Sequence, residues 1–445
     1  MKFTLAWLKE HLDTKASVAE IADTLTRIGL EVENVFDPAD ALKDFRVAEV
    51  LRCEKHPNAD KLQVCEVDTG TERLQVVCGA PNARAGLRGV FAPVGSYVPG
   101  IDMTLTKAKI RGVESSGMLL SERELELSDE HAGIIELPAN AKVGSAAAPA
   151  LGLDDVVFDI AITPNRPDCL GVRGIARDLA AAGLGTLKAD KIASVKGGFA
   201  NPVPIELDFD AEDADACPVF AGRLMKGVKN GPSPAWLQAR LKAIGLRPIN
   251  ALVDITNIVS YDRARPLHVY DADKLSGVIR ARLGKKGESF RALDGKTHEV
   301  GAEDCVIADD ARVLGLGGIV GGEDSSVTEE TTNVFIESAY FAPKRIAQTG
   351  RRLGVISDAR FRFERGVDPD FVVPGLELAT SMILDLCGGE ASKATVAGKP
   401  PKANAPFKFD PQLIARLSGL DLKEADIKNR LTALGIALEG TGRGL

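Results

Sequence analysis

Ser17 stands three residues before Glu20, the spacing at which the two side chains each satisfy a free amide in the first turn of a helix. Val18, Ile21, Ala22, Leu25 and Ile28 recur at helical spacing and Gly29 suits a C-terminal cap, so the pattern predicts a helix here. Leu241–Ile244–Gly245 and Leu431–Leu434–Gly435 read as similar helix stops. From about Phe45 to Leu137 the period changes. Short apolar runs alternate with turns in FRVAEVLRCEK, KLQVCEVDTG, ERLQVVCGAP, GVFAPVGSYVPG and GMLLSEREL. Several short strands with regular turn signals predict a small β-barrel. Helical character returns at Pro167–Gly183, where Leu170, Ile175, Ala176, Leu179 and Ala180 share a face. The barrel therefore reads as an insertion into a helix-containing domain.

Gly197, Gly198 and two prolines make Lys188–Pro204 a candidate linker. A long α/β region follows to about Gly398, with a hairpin turn predicted at Asp294–Gly295 and a Gly-rich stretch at Gly315–Gly322. Pro400, Pro401 and Pro406 mark a second linker, after which PQLIARLSG and KEADIKNRLTALG read as two helices. The chain then ends at GTGRGL, which reads as an incomplete last domain and a fragment of a longer chain. The expected class is α+β and multidomain. Residues 1–39 plus 151–195 form a discontinuous helix-containing domain, 40–150 an OB-type barrel, 200–398 an α/β domain and 399–445 a partial helical domain.

With 445 residues, 45% apolar and 27% charged, the composition excludes collagen-like, mucin-like and wholly disordered chains. No apolar run approaches the roughly 20 residues of a membrane helix. Lys9, Glu10 and His11 interrupt the N-terminus before a signal-peptide core forms, so a cytoplasmic location is expected. The seven cysteines (53, 65, 78, 169, 217, 305 and 387) are odd in number and include no C-x-x-C pair, which argues against a disulfide framework or zinc ribbon. Cys65 and Cys78 read as small core residues. The net charge of −8 argues against indiscriminate nucleic-acid binding but averages over several domains. Lys43–Arg111 holds eleven Lys+Arg against eight Asp+Glu, whereas Gly112–Glu136 holds one against seven. That asymmetry fits a barrel with one basic face, the kind of surface on which small barrels bind oligonucleotides.

Chemistry-bearing residues concentrate further along. Asp254-Ile255-Thr256-Asn257 precedes Pro266-Leu267-His268-Val269-Tyr270-Asp271; then come Gly317-Gly318-Ile319-Val320-Gly321-Gly322 and Phe335-Ile336-Glu337-Ser338-Ala339. A His, a Glu, hydroxyl and amide groups and a Gly-rich turn can bind a polar small molecule and position a water. The Gly-rich turn lacks the Lys-Ser/Thr ending of a phosphate loop, and no Ser-His-Asp order or metal motif is evident. The bland alternatives remain open: His268 as a hydrogen-bonded structural residue, Glu337 as partner to an arginine, and the cationic run Tyr340–Asp368 as a solvated face.

Longer words of sequence add a resemblance. His56-Pro57-Asn58-Ala59-Asp60-Lys61-Leu62, Val77-Cys78-Gly79-Ala80-Pro81-Asn82 and Ile110-Arg111-Gly112-Val113-Glu114-Ser115-Ser116-Gly117-Met118-Leu119 resemble the tRNA-binding barrel attached to several synthetases and trans-acting factors. Thr163-Pro164-Asn165-Arg166-Pro167-Asp168-Cys169-Leu170, Gly174–Ala180, Trp7-Leu8-Lys9-Glu10 and Ile28–Glu33 are similar to the bacterial phenylalanine–tRNA ligase β-subunit family, along essentially the whole chain. The resemblance implies an editing domain at 200–398 and a winged-helix-like fold for the last segment. It implies hydrolysis of tyrosine wrongly joined to the phenylalanine tRNA, with His268, Thr256 and Asn257 positioning the ester and water. Glu337, with backbone groups around Gly318 and Gly321, would recognise the phenol, and Arg247 and Ala359 would shape the pocket or its entrance. Asn58, Lys61, Arg111, Ser115 and Ser116 would contact tRNA, and the run Tyr340–Asp368 would lie near it. The implied partners are tRNA(Phe) and an α subunit in an α₂β₂ assembly, with no membrane. No cofactor or metal is expected in this portion; ATP and Mg²⁺ belong to the holoenzyme, whose β-chain Mg²⁺ ligands would lie beyond Leu445. The alternative is a non-catalytic tRNA-binding and assembly scaffold. One departure is visible: Arg263-Ala264-Arg265 stands where many relatives carry a Gly-Gln pair.

Overall fold

The computed structural model describes residues 1–127, 130–153, 155–402 and 406–440. Residues 403–405 of the expected second linker and residues 441–445 of the terminal GTGRGL lie outside the described residues. The chain divides into two compact units, Phe36–Val157 and Met1–Val35 with Phe158–Leu445.

In the smaller unit, a five-stranded antiparallel sheet runs in the order Met118–Leu119, Arg88–Ala92, Arg46–Lys55, Gln63–Asp68, Arg73–Cys78. Alternate residues turn inward, so Cys65 and Val67 from one strand meet Val76 and Cys78 from the next, with Ala48, Val50 and Phe91 completing the core. The sheet curls toward closure. Ser116 N–H donates to the Gln75 carbonyl (2.9 Å) and Gln75 Nε2 to the Glu114 carbonyl (2.8 Å), which covers the edge strand Arg73–Cys78. Gly117 permits this closure: a Cβ there would lie 2.4 Å from the Phe91 ring, at a φ of +121°.

The larger unit opens with the strand Lys2–Thr4 and the helix Leu5–His11, followed by the helix Val18–Arg27. Glu20 N–H donates to Ser17 Oγ (3.3 Å) and Ser17 N–H to Glu20 Oε2 (2.8 Å), the reciprocal cap that the sequence predicts. Two five-stranded arrangements carry the α/β region. One runs Ile205–Asp208, Ile279–Leu283, Cys305–Ala308, Val313–Leu316, Val320–Gly321. The other runs His268–Asp271, Asn333–Tyr340, Val219–Lys226, Glu390–Ala391, with Thr395–Gly398 also pairing with Val219–Lys226. Val219–Met225 and Val334–Ala339 are buried throughout, as befits strands covered on both faces. Helices Ala251–Arg263 and Val372–Cys387 pack together, the latter against these central strands. Inside this layer the buried Arg223 guanidinium donates to both oxygens of Glu377 (3.2 and 2.9 Å).

Two local expectations need refinement. The hairpin Ser289–Arg291/Thr297–Glu299 closes with Ala292 N–H donating to the Lys296 carbonyl, so the loop holds three residues rather than two, with Gly295 at φ +77°. The departure at Arg263–Arg265 is built into the fold. Ala264 caps the helix Ala251–Arg263 at φ +52°, a conformation that glycine adopts without strain. Arg265 is buried and donates to the carbonyls of Ala339 (2.7 Å) and Asp368.

Candidate functional site

Strand His268–Asp271 pairs antiparallel with Asn333–Tyr340, placing His268 opposite Glu337 and Tyr270 opposite Phe335. Side chains two apart on a strand share a face, so His268, Tyr270 and Glu337 all point to one side of the sheet. Tyr270 Oη donates to Glu337 Oε2 at 2.5 Å. The His268 and Tyr270 rings meet edge to face, 4.4 Å apart between centroids. His268 Nε2 is buried and makes no hydrogen bond. Together they line a cavity with about 460 Å³ of empty space, part of it open to solvent, whose walls include Gly318, Gly321, Ala359 and Phe363.

The glycines have a specific task here. A Cβ on Gly321 would lie 2.3 Å from the His268 ring, and a Cβ on Gly318 would lie 2.8 Å from Phe341 and 3.0 Å from Phe363. The Gly-rich turn thus seats aromatic and imidazole rings rather than cradling a phosphate. Ala359 reaches the cavity from the helix Asp358–Phe363, whose capping residue Ser357 donates from Oγ to the Ile319 carbonyl at 2.6 Å. That bond ties the helix to the turn.

Burial dominates the electrostatics. It raises the Glu337 carboxyl from near 4.5 to about 7, partly offset by the Tyr270 hydroxyl, which favours the carboxylate. Burial lowers His268 to about 4, so at neutral pH its ring is uncharged. Burial and the neighbouring carboxylate push the Tyr270 phenol well above its ordinary value, and it remains a donor.

Five expected site residues, His268, Glu337, Gly318, Gly321 and Ala359, line one cavity. Thr256, Asn257 and Arg247 are not among its lining residues. Thr256 is buried in the helix Ala251–Arg263, its hydroxyl donating to the Val253 carbonyl at 2.8 Å. Asn257 is half-buried on the same helix, and Arg247 is exposed in the preceding loop. Tyr270 was missed by the sequence reading, although its spacing from His268 on a strand already placed both on one face. The cationic run Tyr340–Asp368 is largely neutralised: Arg345, Arg352, Arg360, Arg362 and Arg365 pair with Asp213, Asp304, Glu364, Asp358 and Glu364.

In the barrel unit the expected contact residues divide. Ile110-Arg111-Gly112-Val113 forms a two-residue turn with Arg111 at φ +44° and Gly112 at φ +94°. His56 Nε2 bonds the Ile110 carbonyl (3.1 Å) and Asn58 Nδ2 donates to the Arg111 carbonyl (3.0 Å), so both hold this turn. Lys61, Lys109 and Arg111 are exposed and form no ion pair among the described residues. Ser116 is half-buried. Ser115 is a correction: it is buried, and its hydroxyl accepts from Val77 N–H (3.1 Å) and donates to the Gly117 carbonyl (3.2 Å), which removes it from the surface.

Among the described residues, Asp168, Cys169 and Asp178 bring metal-type ligand atoms within 4.8 Å of one another. Two guanidiniums already neutralise this cluster: Arg166 pairs with Asp168 (2.8 Å) and Asp178, and Arg177 pairs with Asp178 (2.7 Å) and Asp168. The TPNRPDCL word therefore builds an ion-pair ring between a 3₁₀ turn and the helix Val172–Ala181.

Comparison with known proteins follows the same division. Residues 45–146 match a family described as a putative tRNA binding domain, and residues 216–388 match the B3/4 domain. The phenylalanine–tRNA ligase β subunit of Cereibacter sphaeroides is 54% identical over 99% of this chain and 55% of its own length. That of Paramagnetospirillum magneticum is 54% identical over 100% of this chain and 56% of its own length, and that of Bradyrhizobium diazoefficiens 55% identical over 99% and 55%. The chain thus spans about half the length of the curated relatives it matches. On this full-chain similarity and its two matched domains, the chain belongs to the phenylalanine–tRNA ligase β-subunit family.

Proposed function

We propose that this chain contacts tRNA(Phe) through its barrel and hydrolyses tyrosine misjoined to that tRNA in the cavity around Glu337. The observation that carries the reading is a buried carboxyl bonded through one oxygen to Tyr270, beside an imidazole whose buried Nε2 has no hydrogen-bond partner among the described residues. Buried polar groups are normally satisfied, so an unpartnered imidazole nitrogen lining a cavity beside a carboxyl fits a polar ligand. Tyrosine differs from phenylalanine by one hydroxyl, which an apolar synthetic pocket rejects by only about a hundredfold. A second site with a buried acceptor reverses the preference, because phenylalanine leaves that acceptor unpaired.

In this reading the phenol donates to Glu337 Oε1, in a cavity whose wall includes the backbone of Gly318 and Gly321. Water attacks the ester carbonyl carbon; the bond to the terminal ribose oxygen breaks, and a proton from water ends on that oxygen. Neutral His268 orients the water or the ribose through Nε2. With a pKa of about 4 it is a weak base, and the Glu337 carboxylate bonds Tyr270 rather than the imidazole. Thr256 and Asn257, on their helix outside the cavity wall, act on the tRNA end of the ester. ATP and Mg²⁺ chemistry belongs to a partner α subunit in an α₂β₂ assembly; the Gly-rich turn here is filled by side chains and does not fit a nucleotide. No helix among the described residues is long and apolar enough to cross a membrane. The test is deacylation of Tyr-tRNA(Phe) and Phe-tRNA(Phe). Faster release of tyrosine is expected; equal rates, or none, would overturn the reading.

A further inference from the structure

Glu337 has one hydrogen-bond partner among the described residues, the Tyr270 hydroxyl on Oε2. The register that places Tyr270 diagonally across from Glu337 is fixed by four consecutive strand pairs, His268↔Glu337 to Asp271↔Val334. The carboxyl is therefore held through Oε2 in the wall of the cavity. The same phenol ring packs edge-on against His268, so one side chain braces both polar groups of the cavity.

We infer that Tyr270 is a positioning residue that pins Glu337 through Oε2, presents Oε1 to the substrate's phenolic hydroxyl, and so sets the preference for tyrosine over phenylalanine. The inference rests on the hydrolytic reading above. The surroundings make the Tyr270 contact decisive. Glu337 faces Tyr270 and His268 from strand His268–Asp271, and the buried thiols Cys305 and Cys217, both kept neutral by burial. On Val219–Lys226 its cross-strand neighbour is Gly222; Arg223 points to the other face, where it pairs with Glu377 from the helix Val372–Cys387. Among the described residues, Tyr270 is the one hydrogen-bond partner recorded for the carboxylate.

Tyr270→Phe keeps the ring and its packing and removes only the donor. The Tyr/Phe deacylation ratio is expected to fall about tenfold, through KM for the tyrosyl ester, and the melting temperature by a few degrees as the buried carboxyl loses its donor. The titration midpoint of the Glu337 carboxyl, followed by ¹³C NMR, should rise, because the bond that favours the carboxylate is gone. Site-specific 3-fluorotyrosine at 270, a stronger donor of the same shape, should lower that midpoint and guards against a phenylalanine variant that melts early. A folded Tyr270→Phe with wild-type ratio and wild-type midpoint would overturn the inference. A wild-type chain inert toward both esters would strike the hydrolytic reading instead, and the NMR midpoints alone would then decide whether Tyr270 governs Glu337.

Discussion

The barrel and the Glu337 cavity treat their polar residues in opposite ways. In the barrel, His56, Asn58 and Ser115 from the most recognisable sequence words close hydrogen bonds within the unit. What remains for a partner is exposed positive charge on Lys61, Lys109 and Arg111. In the cavity, Glu337 is enclosed and bonded to Tyr270, and buried His268 Nε2 has no partner among the described residues. On the proposed reading, the difference means that the two regions would recognise by different physics. An exposed cation attracts phosphates through a screened, sequence-indifferent field. A buried carboxyl discriminates a single hydroxyl, because leaving it unpaired is costly.

The largest effect that would break this comparison is on Glu337. Glu337→Ala should lower the Tyr/Phe deacylation ratio roughly 10–100-fold, the worth of a hydrogen bond to a charged group; an unchanged ratio removes Glu337 from recognition. Stability against pH gives the next. The folded Glu337 carboxyl titrates near 7 instead of 4.5, so the stability it contributes is full below about 4.5 and lost as pH rises through 7. Glu337→Gln should therefore gain on wild type by on the order of 1–3 kcal/mol between pH 4.5 and 8 in paired denaturation curves. In that variant His268 should supply the opposite slope, stability falling as pH drops from 6.5 through 4.

The barrel predictions are smaller and separable. Ser115→Ala should destabilise by about 1–2 kcal/mol, leaving Val77 N–H unpaired, with the salt slope of tRNA binding unchanged. Arg111→Ala should do the reverse, reducing that slope by about one unit with little change in melting. A Ser115 variant with normal stability and weak tRNA binding would restore it as a contact residue. The smallest effect contrasts two non-glycine residues at positive φ. Ala264→Gly should stabilise by about 1 kcal/mol by relieving a left-handed cap, whereas Arg111→Gly relieves similar strain but loses the cation.

Periodicity and turn chemistry made the Ser17 capping box and the strands around Cys65 and Cys78 legible, because these depend on neighbours in sequence. The resemblance supplied five cavity residues from segments almost a hundred residues apart. It could not show that Ser115 turns inward, since that depends on the closing edge of the barrel. It did not show that Thr256 bonds its own helix, or that the arginines of 340–368 pair with acids from distant segments such as Asp213 and Asp304. Tyr270 was within reach of sequence alone, but its bond to Glu337 needed the register of two strands.

The most direct measurement is the structure of the chain with L-tyrosine bound. The account predicts the phenolic oxygen about 3 Å from Glu337 Oε1, with Tyr270 still on Oε2. Tyrosine bound with its phenol away from Glu337, or L-phenylalanine occupying the cavity equally well, would contradict it.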